Sequence, residues 1–363
     1  MFVPKDTFVS SAPSSTRSKA PHVIDGPEGP LWVAGSNDEF QLGPWGGHGS
    51  RVWSGIRGQR MREAGYSPEE RRPADPDKRL EDLERDQIDA EVIYGIFQLQ
   101  SRLPDAELIA LCFTAYNQFI ANFCQKHPSR FYGLGCLPGH TVEAGVLEIE
   151  RVARLGLPGA EWSYVDTARP IWHPQWEPLW AAADHYNIPI SLHVRTSGTT
   201  TTVAYEPDVS LVSTAAYNAV VQMQLDEALA SVLMCGALER FPGLKVVLAE
   251  SGVGWIPYVL ERADYEWEDH IDEYGHALKT PPSELFRRQM FATFQKDSVG
   301  PALAAEWCPD SFMWGSDYPH EDGVWPDSHS TIKRYLNRID TSLREKLIHD
   351  NCARLYGIKP VDN

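Results

Sequence analysis

Short apolar or β-branched runs alternate along the chain with segments of helical periodicity. This alternation is typical of parallel strands that helices cover on both faces. Because the runs predict eight strands and no glycine-rich phosphate loop accompanies them, they favour a closed (β/α)8 TIM barrel over a doubly wound sheet. The predicted strands span 22–26, 90–96, 131–137, 159–163, 188–194, 244–250, 290–294 and 311–317.

The helices are predicted from apolar residues that recur about every 3.6 positions. They span 76–87, 105–127, 176–186, 213–240, 327–337 and 341–355. Residues 33–76 are instead rich in Gly, Arg and Trp and lack periodicity. Long irregular segments in compact domains are usually functional lids or disordered. We predict an inserted lid after the first strand, because Trp45 and Trp53 are costly to leave in solvent.

Residues 1–20 are rich in Ser, Pro and Ala and contain no continuous apolar stretch. They predict a flexible tail, or an arm that lies on a partner subunit, rather than a signal peptide. No repeat divides the remaining sequence, so 21–363 is predicted to form a single barrel domain. The length of 363 residues suits an α/β barrel with insertions.

The charge balance argues against nucleic acid and membranes as partners. The 50 acidic residues exceed the 33 basic ones, and the formal net charge of −17 repels nucleic acid and anionic lipid. The longest apolar stretch, 219–238, is broken by Asp226 and Glu227, so no membrane span is predicted. The six cysteines are scattered without a CxxC pair, which predicts reduced thiols in a cytoplasmic protein.

Ionisable residues stand at the carboxyl ends of several predicted strands. Barrel strands are buried on both faces, so such a side chain is costly there unless it is paired or bound to a metal. The carboxyl-terminal face of a barrel is also where its chemistry takes place. The sequence therefore predicts an active site from these strand-end residues, which are Asp25, Glu161, His193, Glu250 and Asp317.

His193 and Asp317 have the residue types that catalytic metal sites use. Imidazole is the usual ligand of a catalytic divalent ion, and a carboxylate can bind the ion and accept a proton from a bound water. Each residue also has a structural explanation, as a core histidine bonded to a carbonyl or as an Asx turn before Pro319. His320 is predicted either to orient the Asp317 carboxylate or to contact the substrate.

Glu250 precedes two glycines that permit a tight turn and close approach to a ligand, although a salt bridge at the barrel rim is the alternative. Asp25 and Glu28 flank a Gly-Pro turn, where they are either ligands or turn residues. Aromatic side chains near strand ends suit an apolar or aromatic substrate, while each alone is more typical of a core. The predicted substrate-binding aromatics are Trp162, Trp255, Phe294 and Trp314.

Several stretches of the chain occur in an order and spacing that is specific when they are taken together. They are Arg79–Val92, Tyr116–Phe119, His127–Leu134, Trp180–Asp184, Pro189–Val194, Gly315–His320 and Asn351–Gly357. In these stretches, and over 22–358 as a whole, the chain resembles the amidohydrolase-related family. This group includes aminocarboxymuconate-semialdehyde decarboxylase and the resorcylate-type decarboxylases. The resemblance implies a metal-dependent barrel, and barrels of this family commonly pair, so a homodimer is expected, with 213–240 as a suitable interface.

The resemblance also implies the metal ligands. It assigns His193 as the ligand from the fifth strand and Asp317 as the ligand from the eighth. The family's first strand carries His-x-His or an acidic residue followed by x-His. Here Asp25 fits the acidic variant, whereas Pro27 cannot bind a metal, and the adjacent Glu28 is a possible substitute.

The family's sixth-strand histidine corresponds to Glu250 in this chain. Carboxylates in place of imidazoles make a site harder and more anionic, which favours Mn, Fe or Mg alongside Zn, as one ion or two. Loss of the metal is the alternative. The implied metal ligands are Asp25, Glu28, His193, Glu250 and Asp317, and the catalytic residues are Asp317, Glu250 and His320.

Three functions follow from this altered ligand set. We place first a metal-dependent hydrolase, in which activated water attacks an ester, thioester, lactone or amide of a small substrate. The alternative is a non-oxidative decarboxylase of an aromatic or related acid, with a side chain that protonates the ring carbon. The third is a metal-free binding protein on the same barrel.

Overall fold

The computed structural model describes residues 3–26, 29–44, 63, 72–103, 105–194, 211–274, 278–320 and 322–359. The contacts of the chain cluster into two compact units. The first unit comprises Met1–Asp166, Ser316–Ile332 and Tyr356–Asn363, and the second comprises Thr167–Gly315 and Lys333–Leu355. None of the helices in the described ranges combines the length and apolar character that crossing a membrane requires.

The strands are numbered β1 to β11 in chain order. They are His22–Gly26, Gly29–Ala34, Phe40–Pro44, Glu91–Ile93, Phe131–Gly133, Gly135–Leu137, Ala160–Trp162, Ile190–His193, Val246–Ala249, Met290–Phe294 and Phe312–Trp314.

The α-helices are numbered α1 to α15. They are Thr7–Ser11, Pro76–Arg85, Ala106–Cys124, Val142–Arg154, Glu177–Tyr186, Leu211–Val220, Asp226–Met234, Ala237–Arg240, Ile256–Asp269, Ile271–Tyr274, Pro282–Gln289, Val299–Trp307, Ser328–Tyr335, Thr341–Glu345 and Asn351–Tyr356.

In the first unit, β1, β2 and β3 form an antiparallel sheet, whereas β4 pairs with β5 and β6 with β7 in parallel. β1 has the predicted bounds, but its partner strand among the described residues is β2, and this pairing is antiparallel. The predicted strand 131–137 is interrupted at Leu134 and forms β5 and β6.

The segment 33–76, predicted to be irregular, contains the end of β2 and all of β3. β2 and β3 contain Gly and Pro, and their buried residues Val33, Ala34 and Leu42 do not form a long apolar run, so a search for such runs missed both strands. Residues 45–62 and 64–71, with Trp45 and Trp53, lie outside the described residues, and the lid stays a prediction.

Residues 3–20, predicted as a flexible tail, are packed within the first unit. α1 contacts α3, and Phe8 and Ala12 are 4% and 2% exposed. The Phe8 ring meets the Trp32 ring edge-on at 5.6 Å between centroids. The segment thus buries apolar side chains, as a solvated tail would not.

The second unit has a parallel sheet in the order β8, β9, β10, β11. All four residues of β9 are buried, as expected of a strand covered on both faces. The predicted strands five to eight are found here, and β10 has the predicted bounds. The helical region predicted over 213–240 is divided into α6, the 3-10 helix Val221–Leu225, α7 and α8, with a break at Gly236, whose φ is 77°.

Candidate metal centre

His193 and Glu250 lie side by side at the carboxyl ends of neighbouring strands in the second unit. His193 ends β8 and is in register with Ala249, the last residue of β9, which Glu250 follows. The Nε2 atom of His193 is 3.5 Å from Oε2 of Glu250, and the two side chains are 15% and 20% exposed. The parallel register therefore brings together two predicted ligands.

The hydrogen bond of the other ring nitrogen sets the orientation of His193. Nδ1 lies 2.9 Å from the carbonyl oxygen of Val194. Since a carbonyl only accepts, Nδ1 carries the proton, and in the neutral ring the Nε2 lone pair faces the Glu250 carboxylate. That pairing is favourable when the ring is protonated or when a cation binds both atoms, so the tautomer is the one a metal ligand needs.

Glu250 has a left-handed backbone with φ 57°, which is uncommon for residues other than glycine. β10 holds this turn. The backbone N–H of Glu250 donates to Oγ1 of Thr293 at 2.7 Å, and the N–H of Ser251 donates to the Thr293 carbonyl at 3.1 Å. Thr293 was not among the predicted residues. It directs the Glu250 carboxylate by fixing its backbone.

Asp317, in the first unit, has the same left-handed φ of 57° and a side chain that is 23% exposed. Its Oδ2 atom is buried, and it has no hydrogen-bond partner among the residues that the structure describes. Nδ1 of His320 lies 3.2 Å from Oδ2, but the N–H of Asp322 approaches the same nitrogen at 3.3 Å. A nitrogen that accepts from Asp322 cannot also donate to Asp317, so Oδ2 is left as an acceptor suited to a cation.

The structure does not place the two ligands predicted from the first strand, Asp25 and Glu28, in the described site. Asp25 is exposed in the antiparallel β1–β2 pair, where it is in register with Pro30. Glu28 lies outside the described residues. The ligand roles of Asp25 and Glu28 stay predictions.

The four aromatic residues predicted to bind substrate differ from one another in burial and in hydrogen bonding. Trp162 and Phe294 are 0% and 1% exposed, as core residues are. The indole N–H of Trp255 donates to the Ser251 carbonyl at 2.8 Å and so supports the turn after Glu250. Trp314 is half-buried at the end of β11, and its Nε1 atom is buried without a hydrogen-bond partner in the described ranges.

Two further buried polar residues, Gln295 and Glu161, lie directly after a strand and within a strand. Gln295, directly after β10, is 6% exposed, and its Nε2 donor has no acceptor within the described part of the chain. A search of strand ends for amides as well as charges would have found it. Glu161 is fully buried in β7. Burial raises the pKa of this carboxyl to about 7, while Oε2 accepts a hydrogen bond from the N–H of Gly95.

The sequence profile of the family described as Amidohydrolase matches residues 48–358. The chain is 26% identical over 291 residues to the 2-amino-3-carboxymuconate-6-semialdehyde decarboxylase of Dictyostelium discoideum, covering 79% of this chain and 77% of the relative. It is 27% identical to the gamma-resorcylate decarboxylase of Rhodococcus jostii, covering 67% and 75%.

Solved structures share the fold. An amidohydrolase from Mycobacterium avium subsp. paratuberculosis superposes with a TM-score of 0.75 at 18% identity, over 99% of this chain and 96% of that one. A 5-carboxyvanillate decarboxylase from Novosphingobium aromaticivorans, with bound manganese, superposes with a TM-score of 0.65 at 20% identity, over 84% and 85%. These matches confirm the predicted fold class, an α/β barrel.

The prediction that placed hydrolysis first is wrong, because the relatives matched over most of their length are decarboxylases. That prediction gave weight to the carboxylates that replace imidazoles. Such replacements change which ions a site prefers, but they do not by themselves decide which bond of the substrate breaks. The comparisons favour the alternative, decarboxylation.

Proposed function

Because the chain belongs to the amidohydrolase family, we propose that it is a metal-dependent, non-oxidative decarboxylase of a small aromatic or related unsaturated carboxylic acid. The names of its relatives support the reaction, and the relatives are matched over most of their own length. The observation in this chain that carries the proposal is the contact of 3.5 Å between His193 Nε2 and Glu250 Oε2 at the carboxyl ends of β8 and β9. This pair has the tautomer and the charge that a divalent cation requires.

His193 and Glu250 are the residues of the second unit that we propose to hold the ion, and the family resemblance implies Asp317 as a further ligand. The buried Oδ2 of Asp317, which lacks a donor among the described residues, fits this role as well as the His193 tautomer does. Two carboxylates with one imidazole favour a hard or borderline ion, so manganese is the first candidate, followed by iron, magnesium and zinc.

When bound, the ion supplies positive charge that orients an oxygen of the substrate and stabilises the negative charge that develops. The bond between the substrate carbon and its carboxylate breaks, CO₂ leaves, and the electron pair remains on the carbon until a proton arrives. The chain must therefore deliver one proton per turnover. We assign this to Asp317, with the ring of His320 beside its carboxylate and 35% exposed to solvent.

Gln295 and Trp314 are proposed to bind substrate oxygens. Each carries a buried N–H donor that finds no acceptor in the described residues. They follow or end adjacent parallel strands, β10 and β11, at the same edge as His193 and Glu250. A hydroxylated aromatic acid offers the acceptors that these donors need, and its ring suits the indole of Trp314.

The test is CO₂ release by the purified protein after removal of metal and reconstitution with manganese, zinc or magnesium. The substrates are hydroxybenzoate-like acids, with thioester and lactone panels as the control for hydrolysis. We expect one CO₂ for each decarboxylated product, dependent on a stoichiometric ion. Stoichiometric metal without CO₂ release from any acid would overturn the reaction, and failure to bind any metal would instead support a binding protein.

A further inference from the structure

Helix α2 and the segment 316–328 are joined by a set of buried hydrogen bonds. α2 contains the first half of the stretch Arg79–Val92, to which the proposed function gives no role. The segment carries Asp317 and His320. We infer that Asp82 and Tyr318 are positioning residues, which hold the Asp317 carboxylate in the orientation that metal binding and proton delivery require. This inference rests on the proposed function.

One face of α2 binds both ends of the segment. The hydroxyl of Tyr318 donates to Oδ2 of Asp82 at 2.5 Å, and the indole N–H of Trp325 donates to the Asp82 carbonyl oxygen at 2.9 Å. One turn further along, the Asp86 carboxylate accepts from the backbone N–H of Ser328 at 2.9 Å and from its hydroxyl. These bonds join parts of the chain that are far apart in sequence; Asp82 and Tyr318 are separated by 236 positions.

Asp82 is a strong acceptor because its charge is paired. Nε of Arg72 lies 3.0 Å and 3.1 Å from the two Asp82 carboxylate oxygens, and the Asp82 side chain is 5% exposed. Hydrogen bonds to a buried ionised group are shorter and stronger than neutral ones. The Tyr318 hydroxyl therefore has a well-fixed partner.

The ring of Tyr318 is also fixed from its face. The guanidinium of Arg79 lies 5.1 Å from the centre of the ring. Arg79 is 2% exposed and forms an ion pair with Glu91, so the cation that packs on the ring is itself held in place. Tyr318 is thus restrained at its hydroxyl and at its face.

Asp317 needs such a restraint because its left-handed φ of 57° is unfavourable for a residue with a Cβ atom. Strained residues persist only where the surroundings over-determine them. Within the segment, the His320 N–H donates to the Asp317 carbonyl at 2.7 Å and the Val324 N–H to the Ser316 carbonyl at 2.9 Å. The bond from Tyr318, the next residue in the chain, to Asp82 anchors this turn to a rigid helix.

The test compares Tyr318→Phe with Tyr132→Phe. Each removes one hydroxyl from the first unit, but the Tyr132 hydroxyl accepts from the N–H of Lys359 at 3.4 Å rather than bonding to Asp82. We expect Tyr318→Phe to weaken manganese affinity and to lower kcat, each roughly 10-fold, with KM changed little, because a hydrogen bond to a charged acceptor is lost. Tyr132→Phe should leave manganese affinity and kcat within about two-fold of the wild type.

Asp82→Ala, if the variant folds, removes the other partner of the same hydrogen bond. The double variant Asp82→Ala/Tyr318→Phe should have the same manganese affinity as Asp82→Ala alone, because the two residues act through one bond. Wild-type manganese affinity and kcat in Tyr318→Phe would overturn the inference. So would losses that match those of Tyr132→Phe.

Crystal structures of the two Tyr→Phe variants separate this inference from the proposed function. If the wild type neither bound manganese nor released CO₂, the proposed function would fail. A carboxylate of Asp317 that is displaced in Tyr318→Phe, and in place in Tyr132→Phe, would still support the positioning role. An unmoved Asp317 in both variants would overturn it.

Discussion

Glu250 and Asp317 share one uncommon backbone conformation, a left-handed turn with φ 57° a short distance beyond the end of a parallel strand. For residues with a Cβ atom this conformation costs roughly 1–2 kcal/mol relative to the right-handed region. Two of the three proposed metal ligands therefore occupy strained positions. Strain of this kind is concentrated at functional sites, where it aims a side chain that a regular strand would direct elsewhere.

Replacement of Glu250 by glycine should separate stability from function. Glycine adopts positive φ without steric cost, so the metal-free Glu250→Gly variant should have a free energy of unfolding about 1 kcal/mol above that of Glu250→Gln, which keeps the Cβ atom. Both variants should lose manganese affinity, because both lose the carboxylate charge. Urea unfolding of the metal-free proteins measures the first effect, and equilibrium dialysis measures the second. A glycine variant no more stable than the glutamine variant would show that the turn is not strained.

Thr293 should support Glu250 through its hydroxyl alone. Thr293→Val preserves the shape of the side chain but removes the acceptor of the Glu250 N–H, which leaves that donor without its 2.7 Å partner. An unsatisfied, partly buried N–H costs about 1–2 kcal/mol in unfolding free energy. Thr293→Ser keeps the hydroxyl and should retain most of the stability and the manganese affinity of the wild type. A loss in the serine variant as large as that in the valine variant would contradict a role through the hydroxyl alone.

The sequence was sufficient for the strands that apolar runs define. Val246–Ala249 is buried throughout, and such a run is predicted as a strand without knowledge of its neighbours. It was not sufficient for pairing direction, because the apolar pattern of β1 is the same whether its neighbour is parallel or antiparallel. β2 and β3 escaped detection because each is short and contains Gly and Pro.

The same limit applies to the candidate site. His193 and Asp317 could be proposed as site residues from residue type and from their position after an apolar run. The contacts that orient the site could not, because they depend on which strands and helices meet. The bond from Glu250 to Thr293 follows from the β9–β10 register, and the bond from Tyr318 to Asp82 joins residues 236 positions apart.

Asp317→Asn should abolish proton delivery while it leaves the fold intact. The amide keeps the volume and the left-handed backbone, which asparagine tolerates well, but it cannot transfer a proton. We expect CO₂ release to fall roughly 100-fold or more, with the free energy of unfolding nearly unchanged. Because Asp317 is also a proposed ligand, both Asp317→Asn and His193→Ala should bind manganese more weakly. At saturating manganese, CO₂ release should recover in His193→Ala but not in Asp317→Asn. Turnover close to that of the wild type in Asp317→Asn would refute its assignment.

Glu161 should make the stability of the protein depend on pH in a defined direction. Burial raises the pKa of its carboxyl to about 7, compared with 4.5 for the ordinary group. Between pH 4.5 and about 7, the Glu161 carboxyl is therefore protonated in the folded protein and ionised in the unfolded chain. The stability linked to this proton is fully present below pH 4.5 and is lost as pH rises through about 7. In the described part of the chain, the groups that hydrogen-bond to this carboxyl are the thiol of Cys136 and the N–H of Gly95, and neither carries a positive charge.

Glu161→Gln should remove this dependence, since an amide of the same shape does not titrate in this range and still accepts from the Gly95 N–H. Urea unfolding at about pH 5 and about pH 8 measures it. The free energy of unfolding of the wild type should fall more between the two pH values than that of the glutamine variant. Glu148→Gln is the control, because Glu148 is also buried in the first unit, at 6% exposure, but is hydrogen-bonded to Thr114 and Asn117 and paired with Arg151. If Glu161→Gln lost as much stability as the wild type over this range, the buried proton would lie on another group.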